Sequence, residues 1–283
     1  MKYAAGVLSQ RPFLKWAGGK TKLVPAIREF VPPGAARLIE PFVGGGAVAL
    51  NLPLPAAILA DANEDLISVY RELQRGGEKY IAQCAALFTP SANTAAVYYA
   101  RRAEFNMTPN RGRKACLFVY LNRHGYNGLC RYNARGGFNV PFGRYKAPRL
   151  PRDALRSFHA RLQTCELRHA DFRDVLAEAR EGDFVYCDPP YVPASATANF
   201  TAYAKGGFGP PEQAALAAGC RDAAHRGATV VVSNHDTPGT RELYAEADER
   251  RELLVGRRIS CNAEKRAAAR ELLAVYRPAS LLV

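Results

Sequence analysis

No stretch of the 283-residue chain is apolar over the roughly 18 residues that a membrane-spanning helix requires. Residues 1–11 contain one early lysine but no apolar core, so they do not predict a secretory signal peptide. These two absences exclude membrane and secreted protein classes. We therefore expect no contact with a membrane and a location in the cytoplasm.

Patterns of metal ligands are also missing. The seven cysteines are spread along the chain without a Cys-X-X-Cys pair, and the five histidines have no ligand spacing. An odd, scattered set of cysteines is not typical of a disulfide framework or a zinc site, and it suits a reducing compartment. The sequence therefore predicts no bound metal.

Acidic residues are few compared with basic ones, and the formal net charge is +13. The segment from Tyr98 to Arg149 contains eleven cations and one acid, Glu104. Asparagines and aromatic residues alternate with these cations; arginine and lysine neutralise phosphates, whereas amides and rings reach or wedge against bases. We interpret the segment as a nucleic-acid surface. The alternative, a solvated basic face, is less favoured because such faces usually mix both signs of charge.

Apolar residues make up 48% of the chain, enough for a sizeable core. Short apolar runs predict strands at 36–40, 56–60, 183–187 and 228–233, with helices from 47, at 65–73 and at 212–225. Strands of nearly continuous apolar residues that alternate with helices indicate an α/β fold with a parallel, doubly wound, Rossmann-like sheet. Residues 71–149 interrupt this alternation. We expect them to form an inserted, mostly helical domain, and residues 1–70 and 150–283 to form one discontinuous domain.

Three glycines, Gly44 to Gly46, follow the first predicted strand, and Asp61 ends the second. Glycines allow a sharp turn close to a ligand, and an acid at the next strand end can accept hydrogen bonds from ribose hydroxyls. Gly44 and Asp61 lie 17 residues apart in the sequence, close to the roughly 20 residues typical of nucleoside-binding folds. Alanine at 47 and 49 removes the dinucleotide fingerprint. The pattern therefore favours a mononucleoside-type cofactor.

The third predicted strand ends in Asp188-Pro189-Pro190-Tyr191. Prolines have no N–H group, so the carbonyls of Asp188 and Pro189 can accept hydrogen bonds from a ligand. Together with the Asp188 carboxylate they form an acceptor-rich turn, and Tyr191 adds a flat ring. This set suits an exocyclic amino group on a planar base. Taken alone, the motif is equally compatible with an ordinary Pro-Pro turn after a buried strand.

These motifs together resemble those of the N6-adenine-specific DNA adenine methyltransferases of the Asp-Pro-Pro-Tyr type. The resemblance runs in order along nearly the whole chain, at 12–20, 40–46, 61–66, 121–133, 138–145, 188–191 and 233–236. It implies S-adenosylmethionine as methyl donor, S-adenosylhomocysteine as product and no metal. It also implies adenine N6 in double-stranded GATC as acceptor, flipping of the target base, and a target-recognition domain at 71–149. The expected enzyme is a monomer on DNA, associated with the bacterial nucleoid.

Matching positions carry the family's site residues onto this chain. The catalytic group comprises Asp188, Pro189 and Tyr191. The cofactor group comprises Trp16, Lys20, Glu40, Phe42, Gly44, Gly46, Asp61 and Asp188. The DNA-binding group comprises Arg102, Asn122, Tyr126, Asn127, Leu129, Arg131, Asn133 and Arg144. Within it, Arg131 is expected to read a guanine by two hydrogen bonds, and Arg102, Asn133 and Arg144 to contact phosphates.

Residues 199–209 predict a loop that closes over the flipped base. Two other positions depart from the family motifs. Cys261-Asn-Ala-Glu stands where the family usually has a Ser-Asn-Gly-Gly type sequence, and Gly45 stands where relatives often have alanine. Neither departure affects the predicted chemistry.

Three other functions remain open at this level. The first is the modification partner of a restriction system, with the same reaction. The second is an RNA or protein-amide methyltransferase, although such amide enzymes typically have Asn in place of Asp188. The third is a non-catalytic DNA-binding protein. The presence of both Asp61 and Asp188 disfavours this alternative.

Overall fold

The computed structural model of the protein describes residues 9–192, 207–255 and 269–279. Most of the predicted closing loop at 199–209, and the whole stretch Cys261 to Glu264, lie outside these ranges. Within them the chain divides into two compact units, one of residues 25–42 and the described residues from 170 onward, and the other of residues 9–24 and 43–169. The predicted boundaries at 70/71 and 149/150 differ from this division and stay a prediction.

Seven strands are present in the described residues. They are β1 Arg37–Glu40, β2 Ala56–Asp61, β3 Cys165–His169, β4 Asp183–Cys187, β5 Thr229–His235, β6 Glu249–Val255 and β7 Ala269–Tyr276. They form one sheet in the order β3-β2-β1-β4-β5-β7-β6. Strand β2 is parallel to β3, and β4 is parallel to both β1 and β5. The predicted α/β fold with a Rossmann-like sheet is confirmed.

The described residues also contain nine α-helices, of which four follow one another between β2 and β3. They are α1 Val24–Arg28, α2 Ala47–Asn51, α3 Glu64–Ala85, α4 Ala95–Met107, α5 Arg111–His124, α6 Arg152–Leu162, α7 Phe172–Ala177, α8 Pro210–His225 and α9 Pro238–Leu243. Short 3₁₀ turns lie at Lys20–Lys22, Pro90–Ala92 and Tyr126–Gly128. None of the helices in these ranges combines the length and apolar character needed to cross a bilayer.

The unit that contains β4 and β5 has an apolar sheet centre. All five residues of β4 and six of the seven residues of β5 are buried. Strands covered on both faces need side chains of this kind, which is why these two were recognisable from sequence. Strand β7 pairs antiparallel with both β5 and β6, and neither β6 nor β7 was among the four strands predicted from sequence.

The sheet edge at β6 was not predicted because its sequence is highly charged. Glu249, Arg250, Arg251 and Glu252 occupy four consecutive positions, and Arg251 and Glu249 form an ion pair at 2.9 Å. An edge strand needs to bury only one face and one side of its backbone, so it carries little apolar signal. Strand β3 was not predicted for the same reason, because it contains the charged residues Glu166 and Arg168, which form an ion pair at 2.7 Å.

The second unit is built around α3, which is much longer than the predicted helix at 65–73. Asn63 caps its start, because the Asn63 side chain accepts a hydrogen bond from the Leu66 N–H. Its apolar face contributes Tyr70 to a ring cluster with Phe13 and Phe158, with centroids 4.9–6.0 Å apart. Gly77 departs from helical geometry with φ +47°, so the chain bends there and continues.

Candidate functional site

The glycine turn after β1 is anchored by the acid at the end of β2. The Gly44 N–H donates to Asp61 Oδ2 at 3.0 Å, and the Asn63 N–H donates to Asp61 Oδ1 at 2.9 Å. The Tyr70 hydroxyl donates to the Gly44 carbonyl from inside the core. A carboxylate has about four lone-pair positions, so each Asp61 oxygen retains capacity for a further donor such as a ribose hydroxyl.

Burial raises the pKa of Asp61 from an ordinary 3.8 to about 6. The hydrogen bonds from the Asn63 and Gly44 N–H groups act in the opposite direction, because they stabilise the charged form. The carboxyl group therefore changes charge near pH 6 and is ionised at neutral pH.

Trp16 packs directly against the glycine turn. Gly44 has φ +46°, and a Cβ there would lie 2.6 Å from Trp16 Nε1. A Cβ at Gly45 would lie 2.9 Å from Trp16 Cβ, so an alanine there would require Trp16 to shift. Gly46 has φ +73°, and its Cβ would lie 2.4 Å from Phe158 Cζ. The three glycines are thus sterically required, and they cradle a narrow turn of the kind a nucleoside cofactor needs.

Three further residues predicted to bind the cofactor, Lys20, Glu40 and Phe42, differ in their contacts. Lys20 is buried, and its Nζ donates to the Gly18 carbonyl at 2.7 Å. Glu40 is also buried, as the last residue of β1. Phe42 stacks on Phe172 with centroids 5.4 Å apart and meets the edge of Phe208 at 5.6 Å. Phe172 could not be predicted as a neighbour of Phe42, because it follows the unpredicted strand β3.

Asp188 immediately follows the buried strand β4, and its carboxylate is held by a residue of β5. The Ser233 hydroxyl donates to Asp188 Oδ1 at 3.1 Å and lies 3.0 Å from the Tyr186 hydroxyl. Ser233 is fully buried, so its hydroxyl has few alternative directions. The bond fixes the rotation of the Asp188 side chain. The sequence motif at 233–236 includes Ser233, but the motif alone did not predict that Ser233 binds Asp188.

Polar side chains behind the turn hold its backbone. Gln213 of α8 donates from Nε2 to the Pro190 carbonyl at 2.8 Å. Asn234 accepts a hydrogen bond from the Val192 N–H at 3.1 Å and donates to Gln213 Oε1 at 3.2 Å. Since Asn234 and Gln213 are buried, these bonds are costly to break. They hold the segment after Asp188 in one conformation.

Tyr191 is fixed at both its hydroxyl and its ring. The hydroxyl donates to Glu271 Oε2 at 2.9 Å, and the ring meets the His235 ring edge-on with centroids 4.8 Å apart. His235 Nδ1 donates in turn to the Val192 carbonyl at 2.8 Å. These contacts give His235 a structural role. Glu271 was not found from sequence, because it lies on the unpredicted strand β7.

The predicted base-contacting residues follow α5 as a surface loop. Tyr126 is 46% exposed, Asn127 has φ +53°, and Leu129 is partly buried. Arg131 is exposed, and its Nε donates to Asn139 Oδ1 at 2.8 Å. An exposed tyrosine and an arginine held at one edge are suited to contact a partner's bases.

Asn122, predicted to bind DNA, is buried inside the unit. Its Oδ1 accepts a hydrogen bond from the Lys15 N–H at 2.9 Å, and its Nδ2 donates to the carbonyls of Lys15 and Gly128 at 2.7 and 3.2 Å. The amide joins the segment before Trp16 to the surface loop. Its predicted DNA contact would require these bonds to break.

The predicted phosphate ligands differ in how far the protein already uses them. Arg102 donates to the Val140 carbonyl at 3.0 Å. Asn133 is exposed and accepts hydrogen bonds from the N–H groups of Arg135 and Gly137. Arg144 is exposed in a left-handed conformation, with φ +53°. Of the eleven cations in the basic segment, six are exposed without an acidic partner in the described ranges: Arg111, Arg131, Arg135, Arg144, Lys146 and Arg149.

No cluster of His, Cys, Asp or Glu in the described residues could hold a metal ion. The acceptor-rich turn after β4 suits an amino group on a planar base, and the exposed arginines suit a phosphate backbone. Fold and site therefore define the class as an α/β methyltransferase that acts on nucleic-acid bases. Residues 16–256 match the profile of the D12 class N6 adenine-specific DNA methyltransferases, and the chain belongs to this family.

Curated relatives extend the match over nearly the full length. The DNA adenine methylase of Escherichia coli strain K12 is 48% identical over 268 residues, covering 95% of this chain and 96% of the relative. The DNA adenine methylases of Serratia marcescens and Vibrio cholerae are 46% and 44% identical, covering 94% and 95% of this chain and 98% and 97% of the relatives. The predicted activity is confirmed: the protein is an adenine-specific DNA methyltransferase with DNA as its substrate.

Among solved structures, the rRNA methyltransferase aviRa from Streptomyces viridochromogenes aligns with 96% of this chain and 91% of its own. The TM-score is 0.38 at 17% sequence identity. This likeness is too low to support a conclusion about function.

Proposed function

We propose that the enzyme transfers the methyl group of S-adenosylmethionine to N6 of adenine in double-stranded GATC. The observation that carries this proposal is the Asp188 turn, whose carboxylate is oriented by Ser233 at 3.1 Å. The GATC target rests on the resemblance of residues 121–133 and 138–145 to the family. The enzyme acts as a monomer in the cytoplasm, where its DNA substrate lies.

Residues Trp16, Lys20, Glu40, Phe42, Gly44, Gly46, Asp61 and Asp188 bind the cofactor in this proposal. The turn fits such a group, because Asp61 keeps acceptor capacity and glycine is required next to Trp16. When bound, S-adenosylmethionine supplies a methyl group activated by a positively charged sulfur. Asp61 accepts hydrogen bonds from the ribose hydroxyls.

At the catalytic turn, the residues act on the amino group of adenine. The lone pair of that nitrogen is delocalised into the ring, which makes it a poor nucleophile. The Asp188 carboxylate and the Pro189 carbonyl accept hydrogen bonds from its two N–H groups, localise the lone pair and stabilise the positive charge that develops on the nitrogen. The N–CH3 bond replaces the S–CH3 bond of the donor, S-adenosylhomocysteine leaves, and the nitrogen releases one proton to water. The fixed turn supplies the orientation that such a displacement requires.

Such a contact requires the base to leave the duplex, because N6 is otherwise paired. The proposal therefore includes base flipping, with the extruded adenine stacked on Tyr191. The Tyr191 hydroxyl is hydrogen-bonded to Glu271, and its ring packs edge-on against the His235 ring. These two contacts hold the ring in place before the base arrives. Tyr126, Asn127 and Leu129 contact or replace bases in the duplex, and Asn122 supports their loop. Arg131 reads a guanine by two hydrogen bonds. Arg102, Asn133 and Arg144 bind phosphates.

Incubation of an unmethylated plasmid with the enzyme and S-adenosylmethionine tests the proposal. We expect protection from an endonuclease blocked by adenine methylation in GATC, and cleavage by one that requires it. A synthetic duplex with GATC replaced by GTTC is the matched control. Mass spectrometry of the nucleosides identifies the product. Absence of N6-methyladenine in the GATC duplex, or equal methylation of the control, would contradict the assignment.

Affinity for the cofactor is predicted to depend on pH. Because the pKa of Asp61 is raised to about 6, its carboxyl group is charged above this pH and protonated below it. The charged form is the better acceptor, so affinity should be greatest at pH 7 and above. It should fall about tenfold between pH 7 and pH 5, since the charged fraction drops tenfold per unit below the pKa. Calorimetric titration with S-adenosylmethionine measures this.

The Asp61→Asn variant is the control for this pH dependence. It should bind more weakly at every pH, and its affinity should be nearly constant from pH 5 to pH 7. A slope in this variant equal to that of the unmodified enzyme would assign the pH dependence to another group.

A further inference from the structure

The segment that carries Arg131 alternates in exposure. Cys130 is buried, Arg131 is exposed and Tyr132 is partly buried. Tyr132 forms a β-bridge with Phe138, so the chain is extended here. Successive side chains of an extended chain point to opposite sides, which directs Arg131 outward when its two neighbours face the protein.

Both neighbours of Arg131 are bonded to the start of α3. Asn63 Nδ2 donates to Cys130 Sγ at 3.4 Å, and the Tyr132 hydroxyl donates to Asp65 Oδ2 at 2.8 Å. A hydrogen bond to a carboxylate is roughly twice as strong as one between neutral groups, so the Asp65 contact is the stronger anchor. The backbone of Arg131 is thereby held from both sides.

Asp65 is itself fixed. Lys114 of α5 forms an ion pair with Asp65 Oδ1 at 2.7 Å, while Oδ2 accepts the bond from Tyr132. The Asp65 side chain is 17% exposed, so its rotation is restricted by both partners. Burial raises the pKa of Tyr132 above its ordinary value, which keeps the hydroxyl protonated as a donor.

The guanidinium of Arg131 is held along one edge. Its Nε donates to Asn139 Oδ1 at 2.8 Å, and Nη2 lies 3.4 Å from the Asn139 carbonyl. Arginine has five N–H groups in a planar fork, so the others can meet an external acceptor pair. Reading a guanine by two hydrogen bonds requires both N–H groups to be placed at once.

We propose that Asp65 is a positioning residue for base reading. Through Tyr132 it fixes the segment that carries Arg131, and it thereby sets how well the enzyme distinguishes the guanine of its target from other bases. This inference rests on the proposed function, in which Arg131 reads that guanine. The proposed role of Asp65 concerns base reading and not the methyl transfer step.

Two variants test the inference, Asp65→Asn and Tyr132→Phe. The measured quantity is the ratio of kcat/KM on a duplex with GATC to that on a duplex with the guanine replaced by adenine. We expect both variants to lower this ratio about tenfold, because a misplaced arginine loses much of the discrimination that a bidentate contact provides. Their kcat on GATC at saturating DNA should change little.

Glu64→Gln is the matched control. Glu64 precedes Asp65 in the first turn of α3, is exposed and would lose the same charge. It should keep the unmodified ratio. This control separates the bond to Tyr132 from general effects of charge on the helix or on DNA affinity.

Arg131→Ala separates failure of this inference from failure of the proposed function. If Arg131→Ala leaves the ratio unchanged, Arg131 does not read the guanine and the proposed role fails. If Arg131→Ala lowers the ratio while Asp65→Asn and Tyr132→Phe keep it, the positioning role alone is overturned. Equal losses on both duplexes would mean a merely structural role and would also overturn it. If Asp65→Asn does not fold, Tyr132→Phe decides the question.

Discussion

Replacement of Asp188 by alanine is expected to slow methyl transfer by about a thousandfold, the upper range for removal of one preorganised electrostatic group. The variant loses the charged acceptor that Ser233 holds at 3.1 Å, so the target nitrogen keeps its delocalised lone pair. Affinity for GATC duplex should survive, because the proposed phosphate and base contacts lie elsewhere in the sequence. Single-turnover methylation and fluorescence anisotropy measure the two effects.

Asp174→Ala is the control for this experiment. Asp174 is an exposed acid in the first turn of α7, and its loss removes the same charge without changing the turn after β4. It should methylate at the normal rate. A single-turnover rate of Asp188→Ala within tenfold of the unmodified enzyme would refute the proposed role of this carboxylate.

Replacement of Gly46 by alanine is expected to lower the free energy of unfolding by about 2–5 kcal/mol. A residue with a Cβ is strained at φ +73° by roughly 1–2 kcal/mol. The new Cβ would also lie 2.4 Å from Phe158 Cζ, and overpacking of a core costs roughly 1–3 kcal/mol. Urea unfolding, followed by circular dichroism, measures the difference.

Gly34→Ala separates the two costs. Gly34 has φ +84°, but no heavy atom lies within 4 Å of a Cβ at this position. It should therefore show the conformational cost alone, roughly 1–2 kcal/mol. If Gly46→Ala is no less stable than Gly34→Ala, the contact with Phe158 does not constrain the turn.

The strands that could be predicted are those with apolar residues at nearly every position. The prediction for β4 matches Asp183–Cys187 in full, and β5 differs from its predicted range by one residue at its start and two at its end. Their burial on both faces leaves a continuous signal. Strands β3 and β6 were not predicted because charged residues at their exposed positions break that signal. Strand β7 was not predicted either, although it contains a buried apolar run at 272–276. The antiparallel pairing of β7 could not be deduced without first finding the strand.

The candidate site was predictable where it consists of short motifs and unpredictable where it depends on residues far apart in sequence. Asp61 and Asp188 stand at strand ends beside recognisable turns. Ser233 and Glu271 contact the Asp188 turn from β5 and β7, which only the fold brings together. Asn122 has a family motif around it, yet its amide is used inside the protein.

The charged outer strands have a consequence for self-association. A second copy that added a strand to β6 would bring further chain against Glu249, Arg250 and Arg251, whose charges would lose water without gaining designed partners. On β3, the outer strand at the opposite border, Glu166 and Arg168 would likewise lose water if a further strand were added. Among the described residues, both outer strands of the sheet therefore resist edge-to-edge stacking, which should keep concentrated samples free of fibrous aggregates.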